Sequence, residues 1–231
     1  MSWLPDWLVS DKALLSIVSI AIGWLLAQGT TLVKDWLNIR RLKNGLLIEL
    51  EDIRAQLDRM QLHNKRNLQF YALQGIPNEG SLPIQNLFFR QYFKDVFGKL
   101  NREQRISYQL IHSLLDTNNE QQAALVSFFE KNYEVRHGPA NSENAHKVLR
   151  EFGDRAIAAQ RGTMKVLWHI EFHLRNREKP GLDFKGPVHE SYLRFLEEVE
   201  DDIRKTIDGA ANLKRDDLEK IYDEKFFRQG T

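Results

Sequence analysis

Cysteine is absent from this chain of 231 residues, which excludes disulfide bonds, thiol catalysis and cysteine-ligated metal or iron–sulfur centres. Proline is scarce, at six residues, and none falls between Pro5 and Pro77, so little in the first third of the chain interrupts a helix. Net charge is nearly missing as well: 33 Lys plus Arg stand against 32 Asp plus Glu, leaving +1. A chain so balanced exerts no long-range pull on acidic substrates, and its net charge indicates no nucleic-acid partner. There is no Walker loop, no G-x-G-x-x-G after a strand, no G-x-S-x-G elbow and no H-E-x-x-H pair. These absences lean against an enzyme and indicate no cofactor. Strand patterns, internal repeats and low-complexity tracts are missing too.

Charge vanishes altogether from Ala13 to Val33, 21 residues reading ALLSIVSIAIGWLLAQGTTLV. At about 1.5 Å per residue such a helix is roughly 31 Å long, the thickness of a bilayer's hydrocarbon core. The segment is expected to cross a membrane once. A cleaved secretory signal needs a basic start, a shorter apolar stretch and an A-x-A-like site. Here Asp6, Asp11 and Lys12 precede the run and no such site follows it, so an uncleaved anchor is expected. Lys34, Arg40, Arg41 and Lys43 follow the span against Lys12 before it. The positive-inside bias then places the N-terminus outside and the C-terminal portion in the cytoplasm, beneath the cell (inner) membrane. Trp3 and Trp7 before the span and Trp36 after it stand where interfacial rings sit, whereas Trp24 falls mid-span.

Within the span, Ser16, Ser19, Gly23, Ala27 and Thr30 succeed each other at steps of 3, 4, 4 and 3. Five small residues on one face let membrane helices approach closely, so this face is expected to pack against a second copy. The same face would alternatively look at lipid, or line a water-filled lumen in a larger ring. Past the membrane, Leu32, Trp36, Ile39, Leu46, Leu50, Ile53, Leu57 and Met60 keep alternating steps of 4 and 3, with Lys43 as the one polar member. That heptad seam reads equally as an oligomerising stalk or as the first helix of a cytoplasmic bundle, and the two are not exclusive. Gly45 weakens the helix by up to ~1 kcal/mol without breaking it. Residues 13–72 are expected to form nearly one helix, with a kink allowed near Gly29 and Gly45.

Gly75 to Pro83, GIPNEGSLP, reads as a loop. Ile84 to Leu100 carries Leu87, Phe88, Phe89, Tyr92, Phe93, Val96 and Phe97, the broad apolar face of a buried helix. A third helix is expected over 101–117, ended by Asp116-Thr117-Asn118-Asn119, with helix resuming over 119–135 and stopping at His137-Gly138-Pro139. Asn141 or Ser142 caps the next, which runs to about Lys179, and Gly186-Pro187 opens the last long helix. Tyr192, Phe195, Val199, Ile203, Thr206 and Ala210 form its inner row, with the pairs Glu200/Arg204 and Asp201/Lys205 outside. An amphipathic tail over 213–227 is expected to dock through Leu218, Ile221, Tyr222 and Phe226. The fold class is all-α: a single N-terminal transmembrane helix (1–33), a juxtamembrane long helix or stalk (34–74), and a cytoplasmic helical bundle (75–231).

Three clusters have the spacing of chemistry. His169 and His173 in WHIEFH stand at i,i+4, the separation at which two imidazoles on a helix share a metal, though a third ligand must come from elsewhere. The acidic run Glu197, Glu198, Glu200, Asp201, Asp202 spreads around its helix and reads as a solvated face. Arg105 and His112 form R-x6-H on one helix face. This pair resembles the R-x4-6-H pattern of HEPN ribonucleases, in which dimerised helical domains bring paired Arg and His to an RNA backbone. The resemblance covers these two residues alone and departs where Ile106 replaces the polar residue that usually follows the Arg. It implies a membrane-tethered ribonuclease with Arg105 and His112 as catalytic residues. The leading expectation is instead a non-catalytic, self-associating single-pass membrane protein with a cytoplasmic sensing or interaction bundle. Its layout is similar to that of bacterial membrane effectors of phage-defence and CRISPR-associated systems, some of which perturb the bilayer. A scaffold recruiting a cytoplasmic protein through the Phe88–Phe97 face or the stalk is the third reading.

Overall fold

A computed structural model describes residues 11–77, 80–132, 143–181, 183, 185–210 and 212–213, leaving aside the side chains of 11–14 and 143. Trp3, Trp7, the His137-Gly138-Pro139 stop, the Asn141–Ser142 cap and the tail beyond residue 213 lie outside the described residues. Among those described, the chain is helical and has no strand. Helix α1 spans Asp11–Ala72, and α2 spans Leu87–Val96 and runs into a 3₁₀ turn at Phe97–Lys99. Helix α3 follows at Arg102–Lys131, α4 at Glu143–Arg175 and α5 at Pro187–Ala210.

Helix α1 is 62 residues long, about 93 Å at the standard rise. With no proline in it, nothing removes a backbone donor, and neither Gly29 nor Gly45 interrupts it. It stops where Gly75 N donates to the Phe70 carbonyl and Gln74 N to the Tyr71 carbonyl, with Gln74 at φ 56°. These paired reverse bonds satisfy the last carbonyls of the helix.

From Leu42 onward α1 packs against the rest of the chain. Helix α4 lies between α1 and α3, antiparallel to both, while α2 lies on α1, and α5 covers α1 and α4. Two apolar cores result. The first gathers Leu46, Leu50, Ile53 and Leu57 of α1 with Val96, Ile111, Leu115, Val166 and Ile170. The second gathers Leu68 and Phe70 with Leu125, Phe128, Phe129, Phe152, Val199 and Ile203. The inner row of α5 agrees with expectation at Val199, Ile203 and Ala210, all buried.

Several local features differ from those the sequence suggests. Helix α3 runs unbroken through Asn118 and Asn119. Both amides are engaged across the bundle and do not compete for the backbone. Asn119 brackets Ile84, accepting from its N–H at 2.9 Å and donating to its carbonyl at 2.8 Å. Asn118 Nδ2 meets Met60 Sδ at 3.2 Å and its Oδ1 accepts from Thr163. The Asn119 bracket ties up the Ile84 backbone outside the helix, and α2 begins at Leu87 instead of Ile84. Glu200 reaches across to Arg161 on α4, leaving Arg204 to Asp201. Residues 42–72 belong to the bundle's own packing, so the stretch standing apart between the apolar run and the bundle is about 34–41.

Candidate functional site

Every described side chain from Leu15 to Asn38 is exposed. Trp24 is 61% exposed, Leu26 68% and Leu32 69%. The helix is long and apolar enough to cross a membrane, and none of its apolar window is buried. The core helix of a soluble protein passes the same length test, but it is covered by its neighbours. Ser16, Ser19, Gly23, Ala27 and Thr30 all lie on this bare rod, and a Cβ added at Gly23 would meet no atom within 4 Å. Thr30 and Thr31 donate their hydroxyls to the carbonyls of Leu26 and Ala27. Their polar groups are thereby satisfied inside the helix, as a hydrocarbon environment requires.

The heptad seam divides in two. Leu32 and Trp36 are exposed and Ile39 is half-buried, while Leu46, Leu50, Ile53, Leu57 and Met60 are consumed by the first core. Those lower five bind the bundle together and present no surface to a second copy. The aromatic face of α2 is also largely spent internally, with Phe88, Phe89 and Phe93 packed on the first core. Only Leu87 and Phe97 remain prominent outside.

Arg105 and His112 do not converge on a shared surface. Arg105 donates to the Leu100 carbonyl at 2.6 Å and stacks over the Phe97 ring. His112 is 3% exposed, lies against the Phe89 ring at 3.6 Å between centroids, and accepts from Asn86 Nδ2 at 3.2 Å. Burial, with Arg90 and His173 nearby, pushes its pKa down to about 3. A neutral imidazole sealed among Phe89 and Asn86 has no path to a phosphodiester. Acid–base chemistry needs reach first.

His169 and His173 point to different neighbours. His173 Nδ1 is hydrogen-bonded to Ser107 Oγ at 2.8 Å and its ring lies 4.3 Å from Tyr108. His169 lies among Trp168 and Tyr192 on the α5 side. Burial lowers both pKa values to about 4, with Arg177 adding to the effect at His173. Among the described residues no group of three or more His, Cys, Asp or Glu is placed to hold a metal. The acidic run disperses: Glu200 pairs with Arg161, Asp201 with Arg204 and Lys205, and Asp202 with Lys65.

One interior feature escapes motif reading. Between the two apolar cores lies a polar layer in which Asn64, Asn118, Gln122, Gln160 and Thr163 are all essentially buried. Asn64 donates to Thr163 Oγ1 at 2.9 Å and accepts from Gln122 Nε2 at 3.2 Å. The signal was present in the seam itself: continuing its steps beyond Met60 leads to Asn64 and Asn67, two amides where apolar residues are due.

Compared with known protein families, curated proteins and solved structures, the chain matches none. Function therefore rests on the exposed helix, the bundle and the surface where they meet.

Proposed function

We propose that this is a non-catalytic single-pass membrane protein that self-associates through the Ser16–Thr30 face, with its bundle beneath the cytoplasmic face as a sensing or interaction domain. The reading is carried by one observation, an apolar rod with no covering side chains that is continuous with a packed domain. So large an apolar surface in water marks a lipid or protein contact. Because one half of α1 is built into the bundle's cores, a displacement of the bundle is transmitted to the span without a hinge. This is the mechanical arrangement of a membrane-perturbing effector. Lys34, Arg40, Arg41 and Lys43 after the span support the cytoplasmic placement. All copies enter in one direction, so association is parallel.

In detergent, native mass spectrometry of the wild type is expected to give an oligomer. Gly23→Leu, which fills the small-residue face without disturbing the bundle, is expected to reduce it to smaller species. An unchanged mass would count against association through this face. Leakage from dye-loaded liposomes on addition of the full chain supports the effector reading. Absence of leakage, with stoichiometric recovery of one cytoplasmic protein, supports a scaffold instead. Protease added outside intact cells should leave the bundle whole, and its digestion would reverse the orientation.

A further inference from the structure

Just below the exposed rod, cations from three separate stretches of chain meet. Arg40, Arg41 and Lys43 of α1, Lys99 of the 3₁₀ turn and Arg177 beyond α4 line a cleft of about 1050 Å³ in which Glu178 is the single acid. Lys43 Nζ donates to the Lys99 carbonyl, tying the turn to α1. Arg177 is bridged to Glu51 at 3.1 Å, whereas among the described residues Arg40, Arg41 and Lys99 have no carboxylate partner. The positive-inside bias accounts for the three cations of α1, which lie within ten residues of Val33. It does not account for Lys99 and Arg177, which only the tertiary fold brings to this place.

A second cleft of about 690 Å³ shares Arg40, Lys43 and Lys99 with the first. It rises toward the span along Leu32, Trp36 and Ile39, with Asp35 at its edge. Arg40 lies over the Trp36 ring, 5.4 Å from its centroid. A basic hollow therefore opens upward into an apolar wall. Arg40 is seven residues past Val33, roughly 10 Å along the helix. Side chains on α1 lean toward its N-terminus, back toward the span. Their charges thus lie at headgroup depth, or within one screening length of it.

We propose that this cleft binds the phosphate headgroup of an anionic phospholipid, with an acyl chain lying along Leu32, Trp36 and Ile39. The inference rests on the reading of α1 as a membrane span. A free phosphate would use the basic hollow alone, and the contiguous apolar wall selects the lipid. Bound there, the lipid joins α1, the 3₁₀ turn and the end of α4, and sets the height of the bundle beneath the membrane.

The full chain in detergent is titrated with phosphatidylglycerol and, separately, phosphatidylcholine of the same acyl length, and bound lipid is counted by native mass spectrometry. Phosphatidylglycerol is expected to bind on the order of a hundredfold more tightly, since each of the three cations without a carboxylate partner contributes about fivefold near an anionic lipid. Arg41→Glu with Lys99→Glu, both exposed positions, should erase the preference. Arg150→Glu, on the distal part of α4, should keep it. Equal binding of the two lipids, an undiminished preference in the double variant, or an equal loss in Arg150→Glu overturns the proposal. Displacement of the lipid by millimolar inorganic phosphate reassigns the cleft to free anions and overturns it too. Liposome flotation separates this from the underlying reading. A wild type that does not float refutes the span, whereas one that floats without lipid preference refutes only the cleft.

Discussion

Phe88 fills the space that Gly45 leaves on α1: a Cβ there would lie 2.2 Å from Phe88 Cζ. On propensity alone Gly45→Ala should stabilise the helix by up to ~1 kcal/mol. The ring, packed against Tyr92 at 4.6 Å, has to leave its seat, and overpacking costs about 1–3 kcal/mol. Urea denaturation of Gly45→Ala is therefore expected to show a net loss of stability, largely recovered when Phe88→Leu is added. The buried histidines give a second residue-scale expectation. His112, His169 and His173 have folded pKa values of about 3, 4 and 4, below the ordinary 6.5. Below pH 6.5 the unfolded chain binds protons that the native one refuses, so stability present at neutral pH is lost as pH falls through this window. Each group contributes up to about 1.4 kcal/mol per pH unit. Denaturation midpoints should fall between pH 6.5 and 5. His112→Gln, which leaves Asn86 a partner but cannot titrate, should flatten the slope by roughly one group's share. An unchanged slope would place the sensitivity elsewhere.

Helix α2 depends for its start on a residue far away in sequence. Its N-cap, Asn86, makes no side-chain capping bond. The Glu49 carboxylate of α1 instead accepts from Phe88 N at 2.7 Å and Phe89 N at 2.9 Å. A carboxylate at a helix N-terminus answers both the orphan donors and the dipole. Burial nonetheless raises the Glu49 pKa, the two backbone bonds opposing that rise. Glu49→Ala should cost about 1–2 kcal/mol, the usual worth of a cap. Hydrogen exchange should report the loss first in the amides of α2, and protection left intact there would refute the assignment. Helix α3, by contrast, carries its own cap: Asn101 and Gln104 exchange bonds at 2.8 and 3.1 Å, a local pattern of the S/T-x-x-E type.

Across the whole molecule, the polar layer links α1, α3 and α4 by buried side-chain hydrogen bonds between the two cores. Asn64 bridges α1 to Thr163 on α4 and Gln122 on α3. Asn64→Ala removes these two bonds and a third, from Asn64 Nδ2 to the Ala159 carbonyl at 3.3 Å, and leaves buried partners unsatisfied, at a cost on the order of 2 kcal/mol or more. Thermal unfolding in detergent should show the drop, and a shift no larger than that of an exposed substitution would deny the layer its role. The exposed half of α1 contributes differently. It adds no packing to the bundle, so Gly23→Leu should leave the bundle's unfolding in place, and under the proposed self-association it should change only the mass of the particle.

An unbroken run without charge, a proline-free stretch and an apolar row are properties of consecutive residues, so sequence alone determined the long apolar helix, the all-helical class and the inner row of α5. Asn118 and Asn119 resemble a helix end along their own segment, but their partners, Met60, Thr163 and Ile84, come from other segments and keep them inside α3. The same holds for the sealing of His112, the divergence of His169 from His173, and the meeting of Lys99 and Arg177 with the cations of α1. Composition and spacing register what a residue prefers along its own helix. Burial, hydrogen-bond partners and convergent charge depend on which helices lie side by side, and only the tertiary structure decided those.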